Sequence, residues 1–153
     1  MHRWKYTEIV RADEAKKEWE LFKADVIKAF GGLPSKLMIT KAGGARDEIT
    51  VDNTAELFVV DRSKFWLQFN GGMDKCGGTF VMFGCSTVGT FEKCDTCAYQ
   101  YDLFVRICLI LAYHHGLIRS DISPDAGDRQ SWSDAREIVC GVFGLSKLKR
   151  RTQ

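Results

Sequence analysis

The sequence predicts an α+β fold: an N-terminal helix, then a five-stranded and mostly antiparallel meander, then two helices packed on one face of the sheet. Three observations predict it. Apolar residues recur every three or four positions near both ends of the chain, which is typical of amphipathic helices. They alternate with polar residues in the middle of the chain, which is typical of strands. The connections between those strands are too short for the crossovers that parallel pairs need.

The composition is that of one ordinary domain. The chain has 153 residues, of which 45% are hydrophobic and 27% charged. A chain of this length can bury a sufficient core without metal or disulfides. We therefore predict a single α+β domain over 1–146 and a basic C-terminal tail over 147–153. The balance of 22 Lys and Arg against 20 Asp and Glu gives no argument from net charge for a nucleic-acid or membrane partner.

Hydropathy gives the expected location of the protein. No apolar run approaches the roughly 18 residues that a membrane span needs. The first residues are polar and aromatic and lack the apolar stretch of a secretory signal. The expected location is therefore the cytoplasm, which is the host cytoplasm if the protein is encoded by a phage.

The first predicted helix runs from Asp13 to Phe30. Its apolar residues lie three or four positions apart and form one stripe along the helix: Ala15, Trp19, Phe22, Val26 and Ala29. Gly31 and Gly32 then end it. Its outer face carries charges of both signs, which indicates a solvated surface.

Five strands are predicted next, over Lys36–Lys41, Asp47–Val51, Ala55–Asp61, Phe65–Asn70 and Thr79–Phe83. Residues 42–46 and 62–64 are short and suited to hairpin turns. In the fourth strand, Leu67 and Phe69 point to one face of the sheet, and Trp66 and Gln68 point to the other. Asn70 and Gly71 are predicted to form a turn.

Two helices complete the predicted fold. The segment from Tyr99 to His115 is apolar over a wide arc, which predicts a helix that is buried on most sides and ends at Gly116. A polar, aspartate-rich loop follows over 120–131. The amphipathic pattern from Trp132 to Phe143 predicts the last helix.

The six cysteines are the one anomaly of the composition. In the cytoplasm they are expected to be thiols or metal ligands. Cys94 and Cys97 have the spacing of a zinc knuckle and, with Cys76, are the candidate metal ligands. Cys76 and Cys85 lie at opposite ends of a predicted strand, which would hold them too far apart to bind one metal ion together. The expected cofactor is therefore none, and zinc is the alternative. Cys94 and Cys97 also fit a redox pair before a helix. Three cysteines are predicted to be small hydrophobic thiols: Cys85, Cys108 and Cys140.

No residue pattern predicts a catalytic site. His114 and His115 are adjacent, so on a helix they point about 100° apart. Their position in the last turn suits cations near a helix C-terminus. The glycine pairs match no phosphate-binding loop. Enzymatic activity is therefore not expected.

Six short motifs follow one another over about residues 65 to 135: Phe69-Asn70-Gly71, Thr79-Phe80, Cys94-Asp95-Thr96, Tyr101-Asp102, Ser120-Asp121 and Trp132. This series resembles a family of small bacteriophage-encoded proteins of unknown function. In that family F-N-G, T-F, C-K-T, P-Y-D, an apolar helix, S-S-D-G and a Trp occur in the same order. This chain differs in Gln100, where the family has Pro, in Ile122, where it has Gly, and in the added Cys97.

The resemblance implies a function. Phage accessory proteins commonly bind and block host proteins, including defence complexes such as CRISPR effectors. The chain is therefore expected to be a non-enzymatic, anti-CRISPR-like protein that binds a host protein or a protein–nucleic acid complex. If the target is a nucleic-acid channel, the binding face should be acidic, and the candidate residues are Asp121, Asp125, Asp128 and Asp134.

Two alternatives remain open. The first is a nucleic-acid-binding protein that uses the exposed basic residues of the first helix, Trp66 as a stacking platform, and the basic tail with Lys147, Lys149, Arg150 and Arg151. The second is a zinc or thiol protein that uses Cys94, Cys97 and the aspartate-rich loop.

Overall fold

The computed structural model describes residues 2–5, 12–42, 47–62, 64–71, 78–84, 91–94, 101–118 and 129–144. Within these ranges it has three α-helices, seven strands and one short 3₁₀ helix. The helices are α1 (Ala12–Phe30), α2 (Asp102–His114) and α3 (Arg129–Phe143). The strands are β1 (His2–Lys5), β2 (Ile39–Thr40), β3 (Glu48–Ile49), β4 (Phe58–Asp61), β5 (Lys64–Gly71), β6 (Phe80–Phe83) and β7 (Phe91–Cys94). The 3₁₀ helix, Thr54–Leu57, leads into β4.

The central strand of the main sheet is β5. It pairs antiparallel with β4, with β6 and, at its last two residues, with β2. Leu67 is paired with Phe58 of β4 and with Met82 of β6, so β4 and β6 lie on opposite edges of β5. β3 pairs antiparallel with β2. The predicted α+β class is therefore confirmed: one helix, a five-stranded antiparallel sheet and then two helices.

The strand order differs in one respect from a simple meander. The order is β3-β2-β5-β4, with β6 also on β5. β3 and β4 follow one another in the chain, but they are not neighbours in the sheet, because β2 pairs with β5. Thr40 supports this long-range pairing, since its Oγ1 donates a hydrogen bond of 3.2 Å to the Gly71 carbonyl across β2 and β5.

A second, two-stranded sheet forms from β1 and β7. The two strands are antiparallel, and their register runs from His2 opposite Cys94 to Lys5 opposite Phe91. The sequence patterns did not predict either strand, because HRWK and FEKC together are mostly polar and have few of the apolar residues that mark the strands of the main sheet. The N-terminal segment is therefore tied to a segment about ninety residues later in the chain.

The helices cover the face of the main sheet that carries Leu67 and Phe69. The ring of Trp19 in α1 lies 5.4 Å from the ring of Phe65. The ring of Phe104 in α2 lies 4.7 Å from that of Phe69. Residues 104–112 of α2 are all buried, as predicted. α3 packs against α2 and also against the end of α1. None of the helices among the described residues has both the length and the apolar character needed to cross a membrane.

Asn70 and Gly71 lie in β5 and not in the predicted turn. The prediction of a turn was wrong because Asn70 and Gly71 pair with Thr40 and Ile39 of β2, and a local pattern does not record such a pairing. A Cβ atom on Gly71 would lie 2.5 Å from Cδ1 of Tyr101. Tyr101 is itself 1% exposed, so its ring has little room to move away.

We predict that Gly71→Ala destabilises the fold. The added methyl overpacks the site against the Tyr101 ring, and overpacking of this kind costs about 1–3 kcal/mol. Urea unfolding measures the loss. The matched control is Gly141→Ala in α3, where an added Cβ meets no atom within 4 Å and where replacing a helical glycine gains about 0.5–1 kcal/mol. Equal stability changes in the two variants would contradict the close contact.

Candidate functional site

Most of the predicted binding residues lie outside the described part of the chain. This applies to Asp121, Asp125 and Asp128 of the aspartate-rich loop. It also applies to the basic tail, with Lys147, Lys149, Arg150 and Arg151. Asp134 is described: it is exposed on α3, one turn before the exposed Glu137. The predicted acidic face can therefore be followed on this helix.

The candidate metal ligands are only partly described. Cys76 and Cys97 lie outside the described residues, and Cys94 is the last residue of β7. Among the side chains that the structure describes, no three of the types His, Cys, Asp and Glu form a group that could hold a metal ion. Zinc at Cys76, Cys94 and Cys97 therefore stays a prediction.

Cys108 and Cys140 are free thiols on the last two helices. Cys108 is fully buried in α2, and Cys140 is half-buried in α3. Burial raises the pKa of the Cys108 thiol well above its usual value of 9.0, because the thiolate would lose its hydration in the core. Cys108 is thus a small hydrophobic side chain, as its position in the apolar pattern predicted.

His115 joins α1 to the end of α2. Its Nδ1 lies 2.8 Å from Oε1 of Glu18, and its Nε2 lies 2.7 Å from Oδ2 of Asp25. Glu18 and Asp25 are seven residues apart on α1, which is about two turns, so the ring bridges two carboxylates on the same side of this helix. An imidazolium, with an N–H on each nitrogen, donates both hydrogen bonds, whereas a neutral ring donates one.

This arrangement is structural in character. A histidine that acts as a general base holds one ring nitrogen with a carboxylate and turns the other to the substrate. In His115 both nitrogens face carboxylates. The side chain is only 9% exposed, and the edge of the Phe22 ring also packs against it at 6.1 Å. The cluster therefore fixes α1 against α2 and does not present a reactive atom.

A second polar cluster joins α2 to α3. Arg106 lies four residues after Asp102, and its Nε donates a hydrogen bond to Oδ2 of that carboxylate within the buried helix. The guanidinium carbon of Arg106 lies 4.7 Å from the centroid of the Trp132 ring. The Arg106 side chain is 2% exposed, so Asp102 compensates a buried positive charge. The cation–π contact orients the guanidinium toward Trp132 of α3. The pair therefore sets how α3 lies against α2.

Three of the six motifs of the resemblance meet at the junction of β5, β6 and α2, namely Phe69-Asn70-Gly71, Thr79-Phe80 and Tyr101-Asp102. The ring of Phe69 lies 5.1 Å from that of Phe80. The amide of Asn70 donates a 3.1 Å hydrogen bond to Oγ1 of Thr79. The hydroxyl of Tyr101 donates one of 2.6 Å to the carbonyl of Gly78. The described residues of these motifs are thus contacts of the fold.

One ion pair lies at the surface between β2 and the 3₁₀ helix. Nζ of Lys41 lies 2.9 Å from Oε1 of Glu56, and the Asn53 amide donates a 3.1 Å hydrogen bond to Oε2 of the same carboxylate. The hydrogen bond and the negative charge of Glu56 raise the pKa of Lys41. Because the pair is exposed, it organises the surface and contributes little to stability.

Trp66, the predicted stacking platform, is half-buried in β5. Its indole Nε1 donates a 3.0 Å hydrogen bond to Oε1 of Gln68, and its ring lies 5.5 Å from that of Phe83. Both contacts hold the indole against the outer face of the sheet. The use of Trp66 as a stacking platform stays a prediction.

No protein-family model, no curated protein and no solved structure matches this chain. Exposed surfaces suited to binding lie on two of the helices. On α3, Asp134, Glu137 and Gly141 are exposed along one side. On α1, the exposed residues include two large apolar side chains, Leu21 and Ile27.

We predict that Cys108 makes the stability of the protein fall at alkaline pH. Since the pKa of the thiol is raised in the folded state, the unfolded chain loses this proton first. The stabilisation is complete below the usual pKa and declines above it, by up to about 1.4 kcal/mol per pH unit. The stability advantage of the wild type over Cys108→Ala should therefore shrink from pH 9 upward in urea unfolding. A constant difference would contradict the burial.

We also predict that His115 is coupled more strongly to Asp25 than to Glu18. The Asp25 side chain is 16% exposed and that of Glu18 is 40% exposed, so water weakens the Glu18 contact more. Double-mutant cycles with His115→Ala should give about 1–2 kcal/mol with Asp25→Ala and less with Glu18→Ala. The paired control is His114→Ala: the His114 ring lies 5.2 Å from that of His115, and His114 should couple to Asp25 more weakly than His115 does. Zero coupling in both His115 cycles would contradict the cluster.

Proposed function

We propose that this protein is a non-enzymatic, phage-type binding protein that inhibits a host macromolecule, and that its target is a defence complex of the CRISPR effector class. The motif resemblance supports the phage-type assignment. Asp134 and Glu137 on α3 support the mode of binding, because both carboxylates are exposed on one side of the helix. This acidic side is the observation that carries the proposal.

The acidic side of α3 has further carboxylates before it in the chain. Asp121, Asp125 and Asp128 precede Arg129, the first residue of α3. Gly141 continues the same side without a side chain, so a partner can approach the helix closely. A surface of this kind is complementary to the basic channel in which an effector holds its nucleic acid, and such complementarity speeds association and selects the partner.

The interior supports a binding role over a catalytic one. In the described interior, the ionisable groups that have close partners connect one secondary-structure element to another. His115 joins α1 to α2, and Arg106 joins α2 to α3. The two ring nitrogens of His115 and the Nε of Arg106 face carboxylates of this chain. Binding through an exposed helix face needs none of these groups.

We predict that Asp134→Lys/Glu137→Lys loses inhibition. The double change reverses the charge of the proposed face and places lysines against a basic channel. The assay is transformation of a host that carries an active CRISPR system with a targeted plasmid. Wild-type protein should raise the number of transformants well above that of the same host without it, and the double variant should not raise it.

The control is Glu48→Lys/Asp52→Lys. Both residues are exposed on β3 and the turn after it, so the net charge changes equally at another place. This control should inhibit as the wild type does. If the wild-type protein does not protect the plasmid, the proposed target is wrong. If the α3 variant protects as well as the wild type, the acidic face is wrong.

A further inference from the structure

The solvent-facing side of α1 is unusually apolar at its centre. The opposite side of the same helix lies in the core, where Trp19, Phe22 and Val26 are buried. Leu21 is 50% exposed and Ile27 is 38% exposed, although leucine and isoleucine are among the residues most often buried. The exposed residues of this side are Lys16, Lys17, Glu20, Leu21, Ala24, Ile27 and Lys28. We call this side the α1 face.

The α1 face is complementary to itself when the chain direction is reversed at Ala24. Three residues before Ala24 is Leu21, and three residues after it is Ile27. Four residues before it is Glu20, and four residues after it is Lys28. Reversal thus exchanges an apolar residue with an apolar residue and a carboxylate with an ammonium. The small side chain of Ala24 lies at the centre, where two helix axes would cross most closely.

We propose that α1 pairs antiparallel with α1 of a second copy of this chain, about a twofold axis at Ala24. In this dimer Glu20 lies at the level of the partner's Lys28, and Leu21 lies at the level of the partner's Ile27. Both contacts occur twice, as a twofold interface requires. A parallel pair would place Lys28 against the partner's Lys28, so charge selects the antiparallel arrangement.

The existing contacts of the two charged residues are compatible with this pairing. Glu20 contacts Lys23 through Oε2 at 3.4 Å, so Oε1 can accept from the partner's Lys28. The ammonium of Lys28 lies 5.3 Å from the Phe143 ring centroid, at the edge of the α1 face. Lys17 lies at the level of the partner's Gly31, so it meets no like charge there.

The size of the interface predicts a weak dimer. α1 has 19 residues, which gives a contact about 28 Å long at a rise of about 1.5 Å per residue. A contact of one helix per copy should bury an area at the lower end of the standard size, which is roughly 800 Å² per partner. The lysines of the α1 face also repel a second copy. We therefore expect a Kd on the order of 10 µM.

Sedimentation velocity over a concentration series tests the proposal. The wild-type chain should dimerise, and Ile27→Glu should be monomeric, because it places two carboxylates at the apolar centre. Glu20→Lys should weaken the dimer at least about tenfold, since it faces the partner's Lys28. Glu20→Lys/Lys28→Glu should restore it, because the exchanged charges again lie opposite each other.

The matched control is Glu137→Lys on α3, which makes the same charge change outside the α1 face and should leave the dimer intact. Circular dichroism shows that each variant is folded. The proposal is overturned if the wild type stays monomeric up to about 300 µM, well above the expected Kd. A dimer that Ile27→Glu leaves intact also overturns it, whether or not Glu137→Lys disrupts that dimer.

Discussion

The packing of α2 on β5 is the contact on which the rest of the structure depends. Phe104 lies against Phe69 in the centre of the sheet, and α2 is buried along nine consecutive residues, 104–112. A helix that is apolar on all sides has to be covered on all sides. The sheet covers one side, and α1 and α3 cover the others. Both flanking helices therefore take their places from the need to bury α2.

Apolar burial alone does not fix how such a helix is rotated, because hydrophobic packing has no direction. The polar contacts at the two ends of α2 supply that direction. At its beginning the Tyr101 hydroxyl bonds to the Gly78 carbonyl, and Arg106 stacks on Trp132. At its end His115 bonds to two carboxylates of α1. A buried charge costs stability unless it is paired, so these pairings select one orientation of the three helices.

This use of polar groups divides the molecule into an interior that holds the fold and helix faces that can bind. The histidine and the buried arginine, which would attract attention as catalytic residues, connect helices. The exposed surfaces proposed for binding are the acidic side of α3 and the α1 face. They lie on different helices, so binding to a target through α3 and pairing through α1 are compatible. A dimer would present the acidic side twice and would increase the effective concentration of the binding face.

The local patterns of the sequence determined most of the elements. Periodicity located α1 to within one residue, the five strands of the main sheet and the buried character of α2, because each pattern depends on neighbouring residues alone. It also indicated that Cys108 is a core thiol. Of the predicted acidic residues, Asp134 is the one that the structure describes, and it is exposed as an acidic binding face requires.

The contacts between distant residues were decided only by the tertiary structure. His115 and Glu18 are 97 residues apart, and Thr40 pairs with Gly71 across 31 residues. No local pattern records such a pair, because its formation depends on the path of the whole chain. For the same reason Asn70-Gly71 became part of a strand: it pairs with Ile39 and Thr40 of β2, which lie far before it in the chain.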